Sequence, residues 1–242
     1  MGDGWIDGPL TGFDLETTGV NRFVDRPVSL ALVRMVGGRV VARTAAMVDP
    51  GCEVPKAATA VHGISTEQAR MSGMPLAEAL DVLVDELLAA GSRGEPVVGM
   101  RLDFDLTILD TQCRRLGGRG LLERGWAGPA LDAAVLDRHL DRYRRGRRTL
   151  GHLCEHYGVA LVDAHDAGAD AEAALGVLRR MARCFPTLGA FSPDDLHQAQ
   201  VGWYRQWAVS CDRRRQGRGL PPLEPEDLVW PIALADTRAV RS

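Results

Sequence analysis

The chain has 242 residues, a formal net charge of −3, and 45% hydrophobic and 25% charged residues. This is ordinary globular usage, which excludes fibrous and disordered classes, and the length suits one domain with an appendage. No apolar run approaches the roughly 20 residues of a membrane helix, and the acidic start from Met1 to Asp7 lacks the apolar core of a signal peptide.

Bulk charge does not announce a nucleic-acid partner. Lys56 is the only lysine among the 29 basic residues, which reads first as a compositional bias toward arginine and second as phosphate recognition. The cysteines (Cys52, Cys113, Cys154, Cys184, Cys211) show no C-x-x-C spacing. That argues against a disulfide framework or zinc knuckle and for a reducing, cytoplasmic setting.

Residues 10–16 alternate as a strand, with Leu10, Gly12, Asp14 and Glu16 on one face and Thr11, Phe13 and Leu15 on the other. Residues 28–36 and 39–48 are β-rich runs joined by Gly37-Gly38, a hairpin signal. After Pro75, a stripe of Leu76, Ala79, Leu80, Leu83 and Leu87 predicts a helix stopped by Gly91. Residues 97–100 read as a short buried strand, and 106–116 as a helix ended by Gly117-Gly118.

Helical spacing follows over 133–143, 149–157 and 170–184, with Gly158 ending the second of these. This order predicts an α/β fold around a mixed sheet. Phe185-Pro186 marks a boundary between a unit of residues 1–185 and an extension of 186–242. Ser192-Pro193-Asp194-Asp195 is a strong helix start; Leu196, Ala199, Trp203, Trp207 and Cys211 share one face, and Gly217 closes that helix. Residues 221–242 read as an extended tail.

Asp14 and Glu16 carry the first chemical signal. Two carboxylates at i and i+2 on a strand point the same way and repel unless a cation neutralises them. A hard divalent cation, Mg²⁺ or Mn²⁺, would do so; the polar side of an edge strand is the competing reading.

The word Phe13-Asp14-Leu15-Glu16-Thr17-Thr18-Gly19 resembles the first motif of the DEDDh family of 3′–5′ exonucleases, the group of proofreading subunits, oligoribonucleases and ribonuclease T. Later segments resemble the family's motifs in the same order: Ala60-Val61-His62-Gly63-Ile64-Ser65, Phe104-Asp105, Leu131-Asp132, Leu150 to Val159, and the H-x-x-x-x-D of His165 to Asp170. The resemblance implies a ribonuclease H-like mixed sheet flanked by helices, with a helical C-terminal extension. It implies two Mg²⁺ or Mn²⁺ ions held by Asp14, Glu16, Asp105 and Asp170, with His165 as general base. It further implies substrate contacts from Thr17, His62 and Phe104, against which stand a turn threonine, a loop histidine and a core phenylalanine.

The pattern departs from the family at Met100-Arg101, where His-Asn is usual, and at Ser29, where a glutamate is common. Arg101 would then be a phosphate contact or a solvent-facing side chain. The expected partner is a single-stranded DNA or RNA 3′ end, with a homodimer or a polymerase reached through the C-terminal helix as further partners. The basic run of Arg138, Arg142, Arg144, Arg145, Arg147 and Arg148 reads either as a rim for the strand or as a solvated loop. Two other functions stay open: a non-catalytic binding module that keeps the fold, and a hydrolase of very short oligonucleotides.

Overall fold

The computed structural model describes residues 4–234. Six strands form one sheet in the order β4-β3-β2-β1-β5-β6: β1 (Leu10–Thr17), β2 (Pro27–Val36), β3 (Arg39–Asp49), β4 (Met74–Pro75), β5 (Val97–Gly99) and β6 (Ala130–Asp132). β1, β2 and β3 are an antiparallel meander, whereas β5 joins β1, and β6 joins β5, in parallel. The β2–β3 turn holds Gly37 and Gly38 at φ of 61° and 83°, the double positive φ that a tight hairpin turn matching strand twist requires.

Eight α-helices accompany the sheet among the described residues: α1 (Lys56–His62), α2 (Thr66–Ser72), α3 (Leu76–Ser92), α4 (Leu102–Arg115), α5 (Ala133–Leu140), α6 (Leu150–Tyr157), α7 (Ala167–Cys184) and α8 (Pro193–Gln216). None is long and apolar enough to cross a membrane. The alternation of β1 sorts its side chains as expected. Phe13 and Leu15 enter a core with Leu80, Leu83 and Leu87 of α3 and Leu102, Leu106 and Leu109 of α4. Leu10 enters a second core with Leu153 of α6 and Leu175 and Leu178 of α7.

Gly12 brings the site together. A Cβ there would lie 2.7 Å from the Ala171 carbonyl oxygen and 2.9 Å from a Leu175 methyl, so only glycine lets α7 lie directly on β1. That contact carries the start of α7 to the end of β1 that bears Asp14 and Glu16.

Several elements differ from expectation. α4 begins at Leu102, four residues early, and α5 stops at Leu140 rather than reaching Tyr143. The short elements α1, α2, β4 and β6 carry little periodicity and were not anticipated. In α8 the buried side is Leu196, His197, Gln200, Tyr204 and Ala208, with Trp203 and Trp207 flanking it half-buried. The cause is the free edge of β6: His197 Nδ1 accepts from the Ala130 N–H at 3.1 Å, and Gln200 Oε1 accepts from the Asp132 N–H at 2.8 Å. The helix thus satisfies an edge strand that would otherwise expose backbone groups. The tail is also more than extended chain, because residues 225–228 form a 3₁₀ turn and Trp230, Ile232 and Ala233 are buried. Residues 235–242 of that tail, and Met1 to Asp3 of the acidic start, lie outside the described residues.

Candidate active site

Four carboxylates converge where three elements meet. Asp14 and Glu16 lie toward the C-terminal end of β1, Asp105 in the first turn of α4, and Asp170 in the first turn of α7. Burial pushes the Asp14 carboxyl well above its ordinary range, and the charges of Asp105, Asp170, Glu16 and Asp166 push it further. Burial, then Asp170 and Asp166, raise Glu16 to about 8. Asp105 is raised by burial and by Asp103, Glu16 and Asp132, against an opposing effect of Arg101. Asp170 is raised by burial, with His165 partly offsetting it.

Such a group of acids is self-repelling, and it fits divalent cations. Donor atoms of Glu16, His165 and Asp170 all lie within 4.8 Å of one another. Asp170 Oδ1 is buried with no hydrogen-bond partner among the described residues. A buried carboxylate oxygen without a partner is costly unless a cation takes it. A mostly carboxylate donor set suits Mg²⁺ or Mn²⁺.

Among the described residues, two of the three non-glycine residues with positive φ flank this cluster. Arg101 has φ 62° just before α4, and His165 has φ 70° just before Asp166, which caps α7 by accepting from the Ala169 N–H at 2.9 Å. Backbone strain of this kind gathers at functional sites because surrounding structure must hold it. The hydrogen bond from Arg101 N–H to Asp132 supplies that hold on one side, at 3.2 Å.

The remaining residues singled out in the sequence are placed as follows. The Thr17 hydroxyl donates to the Gly19 carbonyl at 2.7 Å, as a turn threonine does. His62 Nδ1 accepts from the Ile64 N–H at 3.1 Å, while its Nε2 is buried without a partner among the described residues. Burial lowers the His62 pKa, the Thr17 backbone opposes this, and the nearby His165 lowers it further. Phe104 is half-buried against the core, and Arg101 is exposed.

Asp103 and Asp132 were not assigned a site role from sequence. Asp103 is held by Arg22 and by the Tyr204 hydroxyl at 3.3 Å, and Asp132 anchors the start of α4. The Asp132 signal was available, since an aspartate directly before a helical run is a capping residue.

The arginine run is not a uniform rim. Arg144 and Arg148 both pair with the fully buried Asp137, at 2.7 and 2.6 Å, and the Tyr157 hydroxyl donates to the same carboxylate. Arg138 instead lies over the Trp207 ring.

The sequence model of the exonuclease family matches residues 11–178, which spans all four carboxylates and His165. The chain belongs to the DEDDh exonuclease family. Relatives of this chain include the PolC-type DNA polymerase III of Lacticaseibacillus paracasei, 30% identical over 161 residues, which are 66% of this chain and 10% of that protein. The PolC-type enzyme of Halalkalibacterium halodurans is 28% identical over 179 residues, 74% of this chain and 12% of its own. The chain thus spans about a tenth of the length of those relatives. Its fold matches Escherichia coli exonuclease I bound to a dT13 oligonucleotide, with a TM-score of 0.64 and 20% identity, over 75% of this chain and 42% of the other. Exonuclease I of Methylocaldum szegediense matches with a TM-score of 0.62 and 22% identity, over the same shares of 75% and 42%.

Proposed function

We propose that this chain removes nucleotides from the free 3′ end of single-stranded or frayed DNA or RNA, releasing nucleoside 5′-monophosphates. The observation that carries the reading is the meeting of Asp14, Glu16, Asp105 and Asp170, all held above their ordinary pKa, with His165 beside two of them. The exonuclease I structures that hold dT13 and dA16 support a single strand as the substrate.

Asp14, Glu16, Asp105 and Asp170 would hold two ions, Mg²⁺ or Mn²⁺. When bound, the pair supplies positive charge to the scissile phosphate and acidifies water. His165 takes the proton of the attacking water at a ring nitrogen, a task suited to imidazole. Its position is set by the start of α7, since the next residue, Asp166, caps that helix. His62 offers to the terminal nucleotide its Nε2, which has no partner among the described residues. Thr17 contributes the turn beneath that nucleotide, Phe104 a ring at the core's edge, and Arg101 an exposed cation for a phosphate. Residues 1–185 are the catalytic unit, and 186–242 brace it through α8 and Trp230.

A side-by-side digestion of matched single-stranded DNA, single-stranded RNA and mismatched duplex with Mn²⁺ tests this. Release of 5′-monophosphates from at least one is expected, and no release from any would overturn it.

A further inference from the structure

A polar pocket of about 460 Å³ lies between α5 and α8, lined by Arg138, Arg142, Arg214, His139, Trp203 and Trp207 among others. Its walls are layered flat groups. The Arg138 guanidinium sits 4.0 Å from the Trp207 ring centroid, and the His139 ring is stacked on Trp203 at 3.7 Å, with 9° between their planes. Its cations are unspent. Among the described residues no carboxylate pairs with Arg138, Arg142 or Arg214, and Arg214 donates only to Ser210 Oγ and Cys211 Sγ within its own helix. Arg148, also in the lining, differs because Asp137 holds it. Burial lowers the Arg138 pKa, so that guanidinium gains from any anion brought beside it.

The pocket is joined to the carboxylate cluster through the fold. Asp132 links the two places: its carboxylate accepts the Arg101 N–H at the start of α4, which carries Asp105, and caps α5, which carries Arg138 and His139. We propose that the α5–α8 pocket binds the phosphate backbone of the single strand upstream of the nucleotide being removed, with the strand passing Arg101 on the way. The proposal rests on the exonuclease reading above and adds a second hold on the substrate.

The chemistry favours a nucleic-acid strand. Planar guanidiniums fork onto phosphate oxygens. Cations interleaved with aromatic rings are the surface on which single strands bind without sequence preference. An acidic peptide would want an apolar socket for its anchoring side chain, and Val135 is the only aliphatic residue in the lining.

The test uses the full chain in EDTA, so that the strand stays intact, and follows fluorescence anisotropy of a labelled strand of about 16 nucleotides and of a trinucleotide. The variant is Arg142→Glu with Arg214→Glu, both exposed side chains, and a melting curve checks that it folds. Arg218→Glu is the control for a charge reversal outside the pocket. Affinity for the long strand is expected to fall about tenfold or more in the double variant. The slope of log affinity against log salt should shrink by about 0.7 for each lost contact, and the long strand should lose its advantage over the trinucleotide.

Long-strand affinity and salt slope no different from Arg218→Glu would overturn the proposal. So would an unchanged oligonucleotide affinity alongside an acidic peptide that binds the wild type and not the variant; that pair of results gives the pocket to a protein partner. Cleavage is assayed separately. A wild type that degrades no strand in Mn²⁺, while the variant still loses affinity, defeats the exonuclease reading and leaves the pocket as a nucleic-acid site.

Discussion

Asp132 holds Arg101 in its left-handed conformation: its carboxylate accepts the Arg101 N–H at 3.2 Å, and the adjacent Leu102 N–H at 3.0 Å. The same carboxylate caps α5 through the Ala134 N–H at 2.8 Å and accepts the Trp230 indole N–H at 3.4 Å. One buried side chain therefore ties the start of α4, and with it Asp105, to α5 and to the C-terminal segment.

Asp132→Ala leaves several buried donors unpaired at once. A loss of about 4 kcal/mol in unfolding free energy is expected from urea denaturation, together with a fall in activity as Asp105 shifts. Asp132→Asn keeps an acceptor and should lose less. An alanine variant as stable as wild type would contradict this role.

Glu16 sets a pH dependence with a definite sign. Its carboxyl has an ordinary value of 4.5 and stands at about 8 when folded without metal. Between those values the folded chain binds more protons than the unfolded chain, so this group's contribution to stability falls as pH rises. In EDTA, wild type should lose more melting temperature than Glu16→Gln between about pH 5 and about pH 8. Mn²⁺ should restore more stability at the upper end, because metal binding releases the protons that oppose it. Parallel profiles for the two proteins in EDTA would refute the assignment.

His165→Ala should lower kcat by about 10²–10⁴-fold, the usual yield of a general base. The carboxylates remain, so Mn²⁺ should still raise the melting temperature of the variant. Full activity in that variant would remove His165 from the proton transfer. Loss of the Mn²⁺ effect would instead make it a metal ligand, an outcome its closeness to Glu16 and Asp170 makes worth separating.

Trp230 is only 4% exposed and shares a core with α3 and α4. Trp230→Ala should cost about 3–5 kcal/mol, as for other large-to-small changes in cores. Removal of residues 221–242 should do at least as much harm to the melting temperature. A truncated chain that melts like wild type would show residues 221–242 to be separable.

Much of this was legible in the sequence because it rests on short-range pattern. The alternation of residues 10–16 put Asp14 and Glu16 on one face, and Gly37-Gly38 announced the hairpin; both depend only on local geometry. What was not legible depends on partners far along the chain. β6 is three residues long and is a strand because β5 lies on one side and Gln200 satisfies the other. The buried side of α8 departs from its hydrophobic stripe because Gln200 and Tyr204 are polar, and such a stripe cannot report a glutamine that belongs inside for its hydrogen bonds. Arg144 and Arg148 look like free cations until the fully buried Asp137 is seen between them. At the site, the acids could be named from motif order, but their approach required Gly12, whose missing side chain lets α7 settle on β1.

The central claim is that Asp14 and its neighbours make a metal-dependent site that shortens strands from the 3′ end. The most direct measurement is time-resolved digestion of a 5′-labelled single strand by wild type and by Asp14→Asn, with Mn²⁺ and with EDTA. A ladder of progressively shorter 5′-labelled products is expected for wild type in Mn²⁺ alone, with none for Asp14→Asn or in EDTA. Release of the 5′ label as a mononucleotide at the outset, or an Asp14→Asn protein as active as wild type, would contradict the account.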